Sequence, residues 1–178
     1  VADLVPFADI THLFSDFEHC AFRLESRHGY AVDVGSPKWR LWQAGGDLGF
    51  NPEHPWHANV RAQTGRGRRF ERVRVVDSPP TMGQRFLLAS AGGNVQAGED
   101  IRNLWRTDAL SLGLPAADFW LFDDRLVVHL VFDDQDRTLG VRVTSDPADV
   151  TAARRTRATA WPVAMPTGDF AARVPSDM

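Results

Sequence analysis

Residues 98–134 read GEDIRNLWRTDALSLGLPAADFWLFDDRLVVHLVFDD. A strand-like stretch (IRNLW) gives way to a short helical one. Two further runs, FWLF and VVHLVF, then each end in a pair of acids, Asp123-Asp124 and Asp133-Asp134. Runs of this length bounded by acidic or Gly/Pro residues read as strands, and two in succession read as a hairpin. The segment therefore predicts strand, helix, hairpin. It sets the fold class without naming a reaction.

Working outward, RFERVRVVD (residues 69–77) is the clearest single strand. Val73 and Val75 fall on one side, with Phe70, Arg72, Arg74 and Val76 on the other. HCAFRLESR (19–27) alternates in the manner of a half-buried strand. Residues 6–16 predict a first helix with Asp9 as N-cap and Ile10, Leu13 and Phe14 at helical spacing. Ser36-Pro37 opens a short helix carrying Trp39 and Trp42, and a loop of Gly, Pro, Asn and Asp follows. Helices are expected over residues 55–64, from Pro80 to about residue 91, where Gly92-Gly93 interrupts, and over residues 147–161. Alternating helix and strand argues for parallel pairing, and the later hairpin for antiparallel. The expectation is an α/β fold, with α+β left open. It comprises one domain over residues 1–165, with a mixed, mainly antiparallel sheet of five to six strands and helices packed on it. The Pro-, Gly- and Ala-rich tail over 166–178 is expected to fray.

Composition sets limits on function. With 178 residues, 43% hydrophobic and 24% charged, the chain suits one globular core. No apolar run approaches the ~20 residues that span a bilayer, and no charged-then-apolar leader opens the sequence. Cys20 is the one cysteine, which fits a reducing cytoplasm. Lys38 is the single lysine among 20 Lys+Arg, a bias that matches the Ala, Gly, Asp and Val richness of a GC-rich genome. A net charge of −3 argues against general attraction to nucleic acid.

Three groups of residues could carry chemistry. Arg61, Arg66, Arg68, Arg69, Arg72 and Arg74 concentrate guanidinium groups that bind carboxylates or phosphates in bidentate fashion. The same arginines would equally serve Glu71, Glu25 and the acidic hairpin. Trp39, Trp42 and Trp56 surround a loop-rich segment and resemble interface anchors. Glu99, Asp100, Asp118 and Asp123 lie at strand ends, where α/β folds place their sites and where paired carboxylates can divide acid and base roles. His54 and His57 fall short of the three or four ligands a metal needs, so neither metal nor cofactor is expected. Cys20 and its neighbour His19 point to opposite faces of a strand, which argues against a nucleophilic dyad.

The blocks FRLESRHGY (22–30), RGRRFERVRVV (66–76), GEDIRNL (98–104), DFWLFD (118–123) and Ala160-Trp161 together resemble an actinobacterial family of small proteins described only as a domain of unknown function. The resemblance covers most of residues 8–165. Because such proteins are frequently encoded beside helix-turn-helix regulators, it implies a regulatory partner. It supplies no catalytic residues. Gly83 departs from the pattern, standing where an aromatic is expected ahead of Arg85-Phe86. The element order also resembles a degenerate half of the phospholipase D fold. The motif of that fold needs a lysine two residues after its histidine, and this chain has His129-Leu130-Val131. The likeness therefore implies fold without that phosphodiester chemistry.

The leading expectation is a non-enzymatic regulatory or protein-interaction module, with a DNA-binding regulator as its partner. It would use Arg66, Arg69, Arg72, Arg74, Trp39, Trp42 and Trp56, with Arg72 and Arg74 clasping partner carboxylates. The alternative is a small enzyme or small-molecule-binding protein of specialised metabolism, using Glu99, Asp100, Asp118 or Asp123 beside an aromatic pocket. Direct nucleic-acid binding by the arginines ranks third. The leading expectation needs the arginines of residues 69–76 to look outward.

Overall fold

The computed structural model describes residues 4–175. Its helices begin where the chain supplies caps. Ser36 accepts from the Trp39 N–H to open α2 (Pro37–Gln43), and Asp146 accepts from Ala148 to open α6 (Pro147–Ala160), each with proline at the first position. His54 does the same for α3 (Pro55–Thr64). Thr81 and Gln84 form a reciprocal capping box at α4 (Met82–Ala97). α4 does not stop at Gly92-Gly93. An added Cβ at Gly93 would lie 2.7 Å from the Gly49 carbonyl and 2.9 Å from the His57 ring. This glycine therefore lets helix and loop touch rather than ending the helix. The expected first helix is divided into a 3-10 turn (Phe7–Ile10) and one short helix, α1 (Leu13–Asp16).

The sheet holds seven strands, one more than the upper expectation. They are β1 (Cys20–Glu25), β2 (Arg69–Val76), β3 (Asp100–Trp105), β4 (Asp118–Phe122), β5 (Leu126–Phe132), β6 (Thr138–Thr144) and β7 (Met165–Pro166), in the order β6-β5-β4-β1-β2-β3-β7. β1, β2 and β3 run parallel; every other pairing is antiparallel. The mixed α/β class expected from residues 98–134 is the observed one. Val5 adds an isolated bridge to Val141 on the outer strand β6, with both backbone hydrogen bonds made, at 3.0 and 2.9 Å.

Helices cover both faces. Phe22, Leu24, Val73, Val75, Phe119, Leu121 and Val127 pack under Ala109 of α5 (Arg106–Ser111) and Ala153 and Ala160 of α6. Ala21, Phe70, Trp120, Phe122 and Val128 pack under Ile10, Phe14, Phe17, Val60 of α3 and Ala97 of α4. β1 is consequently buried along its whole length rather than on alternate residues. The tail is also more ordered than its composition predicts. β7 pairs with β3, and α7 (Thr167–Ala171) buries Phe170 against Trp105 with ring centroids 4.4 Å apart. That aromatic anchor offsets the ordering entropy of the segment. Residues 176–178 of the tail lie outside the described residues. No described helix is long and apolar enough to cross a membrane.

Candidate functional site

Register places Arg23 beside Arg72 and Glu25 beside Arg74, all on the face under α3 and α4. All four are buried. Arg72 donates to Glu99 at 2.5 Å and to Glu25 through a short contact; Arg74 donates to Glu25 at 2.6 Å. Arg23 lies 3.7 Å from Glu25 and donates to Asp118 at 2.9 Å. The result is a closed chain of alternating charge, Glu99, Arg72, Glu25, Arg23, Asp118, with Arg74 as a branch. Burial by itself would push the Glu25 carboxyl up, but Arg72, Arg74 and Arg23 outweigh it and hold the group far below the usual carboxylate range. Tyr30 closes the far end, its hydroxyl donating to Asp118 at 2.5 Å. Burial first, then Glu25 and Asp118, push its phenol well up. Among the described residues, Nη1 of Arg23 has no hydrogen-bond partner.

Arg72 and Arg74 therefore do not face solvent, correcting the expectation on which the contact surface rested. The period-two pattern correctly separates them from Val73 and Val75. It does not show that a second helical layer covers their side, and burial under that layer requires acidic partners. Glu25 and Glu99 supply them.

The strand-end carboxylates are likewise engaged. Glu99 accepts from Arg72 and from the Trp56 indole at 3.1 Å. Asp118 accepts from the Ser26 N–H and hydroxyl as well as from Arg23 and Tyr30. Asp123 accepts from the backbone N–H groups of Glu18, His19 and Cys20 at 2.7–3.0 Å, which pins the entry to β1. Asp100 is exposed and pairs with Arg102 at 3.3 Å. Each of the four is thus taken up by its own donors. The tryptophans are not an open patch either. Trp39 is 7% exposed and packs on Trp42 and Phe86 in a small core with Leu48, and Trp56 is half-buried against Phe14 and Phe70.

The structure brings together one group that strand reading passed over. Just beyond β1, His28 lies 2.5 Å from Asp77, the residue that follows β2. Asp77 also accepts from Arg106, after β3, and from Gln84 of α4 at 3.0 Å. Burial raises the Asp77 carboxyl, but hydrogen bonds from His28 and Arg106 more than offset it and leave the group below its ordinary range. The cluster ties three strand ends to one helix. Its signal was the polar residue closing each parallel strand. Among the described residues no group of three or more His, Cys, Asp or Glu could hold a metal ion.

Arg66 and Arg69 are exposed. Arg69 contacts Glu71 at 3.2 Å, and Glu71 also accepts from Arg157 of α6 at 2.8 Å. Beside Arg157 lies an open groove of about 460 Å³ lined by Asp124, Thr151, Arg154, Arg155, Ala158 and Trp161. Positions 151, 154/155 and 158 form one stripe of α6, which Trp161 at its C-terminal cap continues, and the small Ala158 lies between the arginines and the indole. Arg154 and Arg155 are exposed, with no ion pair among the described residues. Arg102 stacks on the Trp161 ring at 3.9 Å and firms the apolar end.

With these features in place, comparison with solved structures finds the chain similar to Nuc of Salmonella typhimurium, a phospholipase D family member. The TM-score is 0.51 and the identity 12%, covering 89% of this chain and 88% of that one. At that identity the shared property is the fold alone. The chain belongs to the family described as a domain of unknown function, DUF6879, whose model matches residues 8–172. No curated protein matches it.

Proposed function

We propose that this chain is a non-enzymatic interaction module that engages a carboxylate-bearing segment of a protein partner through the α6 groove. The carrying observation is the contrast in arginine pairing. Arg23, Arg72 and Arg74 are sealed against internal acids, whereas Arg154 and Arg155 stand exposed over a groove with an apolar end. Of the basic residues singled out from sequence, Arg69 adjoins this surface through Glu71, and Arg66 is exposed. A helix-turn-helix regulator is the partner that the family resemblance suggests. A polyanion such as DNA fits less well, because Asp124 sits within the groove and the whole chain carries −3. The enzymatic alternative loses support, since Glu99, Asp118 and Asp123 are each held by fixed donors.

The test is fluorescence anisotropy with a labelled Glu/Asp-rich peptide, its Gln/Asn counterpart and a DNA duplex. The acidic peptide should bind, weaken with salt, and lose binding in Arg154→Glu/Arg155→Glu. Equal binding of the neutral peptide, insensitivity to the charge reversal, or preferential binding of the duplex would overturn the reading.

A further inference from the structure

We propose that Asp124 is a built-in competitor for the α6 groove, occupying the guanidinium that a partner's carboxylate takes over on binding. This inference rests on the interaction reading above and specifies how its affinity is set.

Arg157 is the hinge of the argument. Its Nε and Nη2 face Glu71, at 2.9 and 2.8 Å, and Glu71 is buried. That side of the fork is fixed. Its Nη1 turns to the groove and meets Asp124 at 3.4 Å, well beyond the ~2.7–2.9 Å of a strong charge-assisted bond. The Asp124 side chain is 46% exposed, so displacing it leaves no buried charge stranded. Asp124 is nonetheless held in place. Asp123 and Asp124 both adopt left-handed backbone, at φ 51 and 55, and the Asp123 carboxylate is tied to three N–H groups. The turn thus presents a carboxylate at a fixed point beside Arg157, as an incoming acidic side chain would. Arg154 lies three residues back on the same helix and Trp161 four residues on, so acidic and apolar contacts fall in line along the groove. The ligand this arrangement fits is a protein segment with clustered carboxylates next to an aromatic or aliphatic anchor.

The experiment measures anisotropy of a labelled Glu/Asp-rich peptide ending in Phe, with wild type, Asp124→Asn and Asp134→Asn, at low and moderate salt. Asp134, exposed on the β5–β6 hairpin, controls for loss of one negative charge. Asp124→Asn should tighten binding about two- to five-fold, the scale of one exposed ion pair, and the gain should shrink at moderate salt while still exceeding that of Asp134→Asn. The same peptide with Ser in place of Phe should bind more weakly to all three proteins. If wild type binds but Asp124→Asn gains no more than Asp134→Asn, the competitor role is overturned and the interaction reading stands. If the Ser peptide binds as well as the Phe peptide, the apolar anchor is overturned. If no variant binds either peptide, the groove reading falls, and this inference with it.

Discussion

Arg72 holds Glu99 by its Nε, at 2.5 Å, and Glu25 by its Nη1, so a single guanidinium joins the acid ending β1 to the acid preceding β3. Both acids and the arginine lie inside the molecule. Charges placed there must be matched, because an unmatched buried charge costs far more than a matched pair contributes. This part of the interior is thus charged by sequence yet closed by geometry.

Glu25→Gln removes the acid shared by Arg23, Arg72 and Arg74. The expected loss is about 3–5 kcal/mol, the scale for breaking a buried ion pair. Urea unfolding followed by far-UV circular dichroism measures it. A midpoint unchanged from wild type would mean that the three guanidinium groups find other partners.

Stability against pH should show two opposed slopes. Glu25 titrates below its unfolded value, so its contribution is complete above that value and is lost as pH falls through the folded one. Asp33 behaves in reverse. Burial, then the Glu25 charge, raise it from 3.8 to about 6, so its ionised form burdens the folded state above that pH. Asp33→Asn should therefore raise Tm at pH 7.5 relative to wild type, with the gap closing between about pH 6 and pH 4. A gain that persists at pH 4 would assign the effect to something other than ionisation.

Asp123→Ala frees three backbone N–H groups at the start of β1. Water can reach the exposed Glu18 and His19 groups, so a loss of about 1–2 kcal/mol is expected, from the lost bonds and from alanine at the left-handed φ of 51. Hydrogen exchange should localise it, with protection falling at Glu18, His19 and Cys20 before the rest of the sheet.

Trp39→Ala tests the aromatic segment. A truncated buried aromatic costs about 3–5 kcal/mol, and Trp39 sits inside a cluster with Leu48 and Phe86. Thermal unfolding should register the loss, while acidic-peptide binding measured below the variant's Tm stays as in wild type. The opposite pattern, intact stability with lost binding, would restore the tryptophans as contact residues.

How far residues predicted structure depended on the distance over which the cause acts. The alternation in RFERVRVV correctly separates Val73 and Val75 from Arg72 and Arg74, because strand geometry is local. What covers the arginine side is set by α3 and α4, whose placement follows from chain crossover. The acids that make burial tolerable come from elsewhere in the chain, Glu25 at the end of β1 and Glu99 just before β3. The His28–Asp77 pair spans 49 positions and was equally invisible to a local pattern. The α6 groove escaped for a different reason. Arg154, Arg155 and Arg157 read as an ordinary solvated helix face until Ala158 and Trp161 are seen to shape a hollow among them.

The two-way clasp between Val5 and Val141 bears on how this molecule behaves in a crowd. β6 is the selvage of the sheet, and Leu139 and Val143 lie along it 58% and 40% exposed. A bare hem of that kind recruits a neighbouring chain by backbone pairing. By occupying Val141 from its outer side, the segment at Val5 denies such a neighbour its central foothold. Clipping the chain after Val5 should leave the domain folded and make it sticky, with light scattering rising at concentrations where the intact protein stays clear.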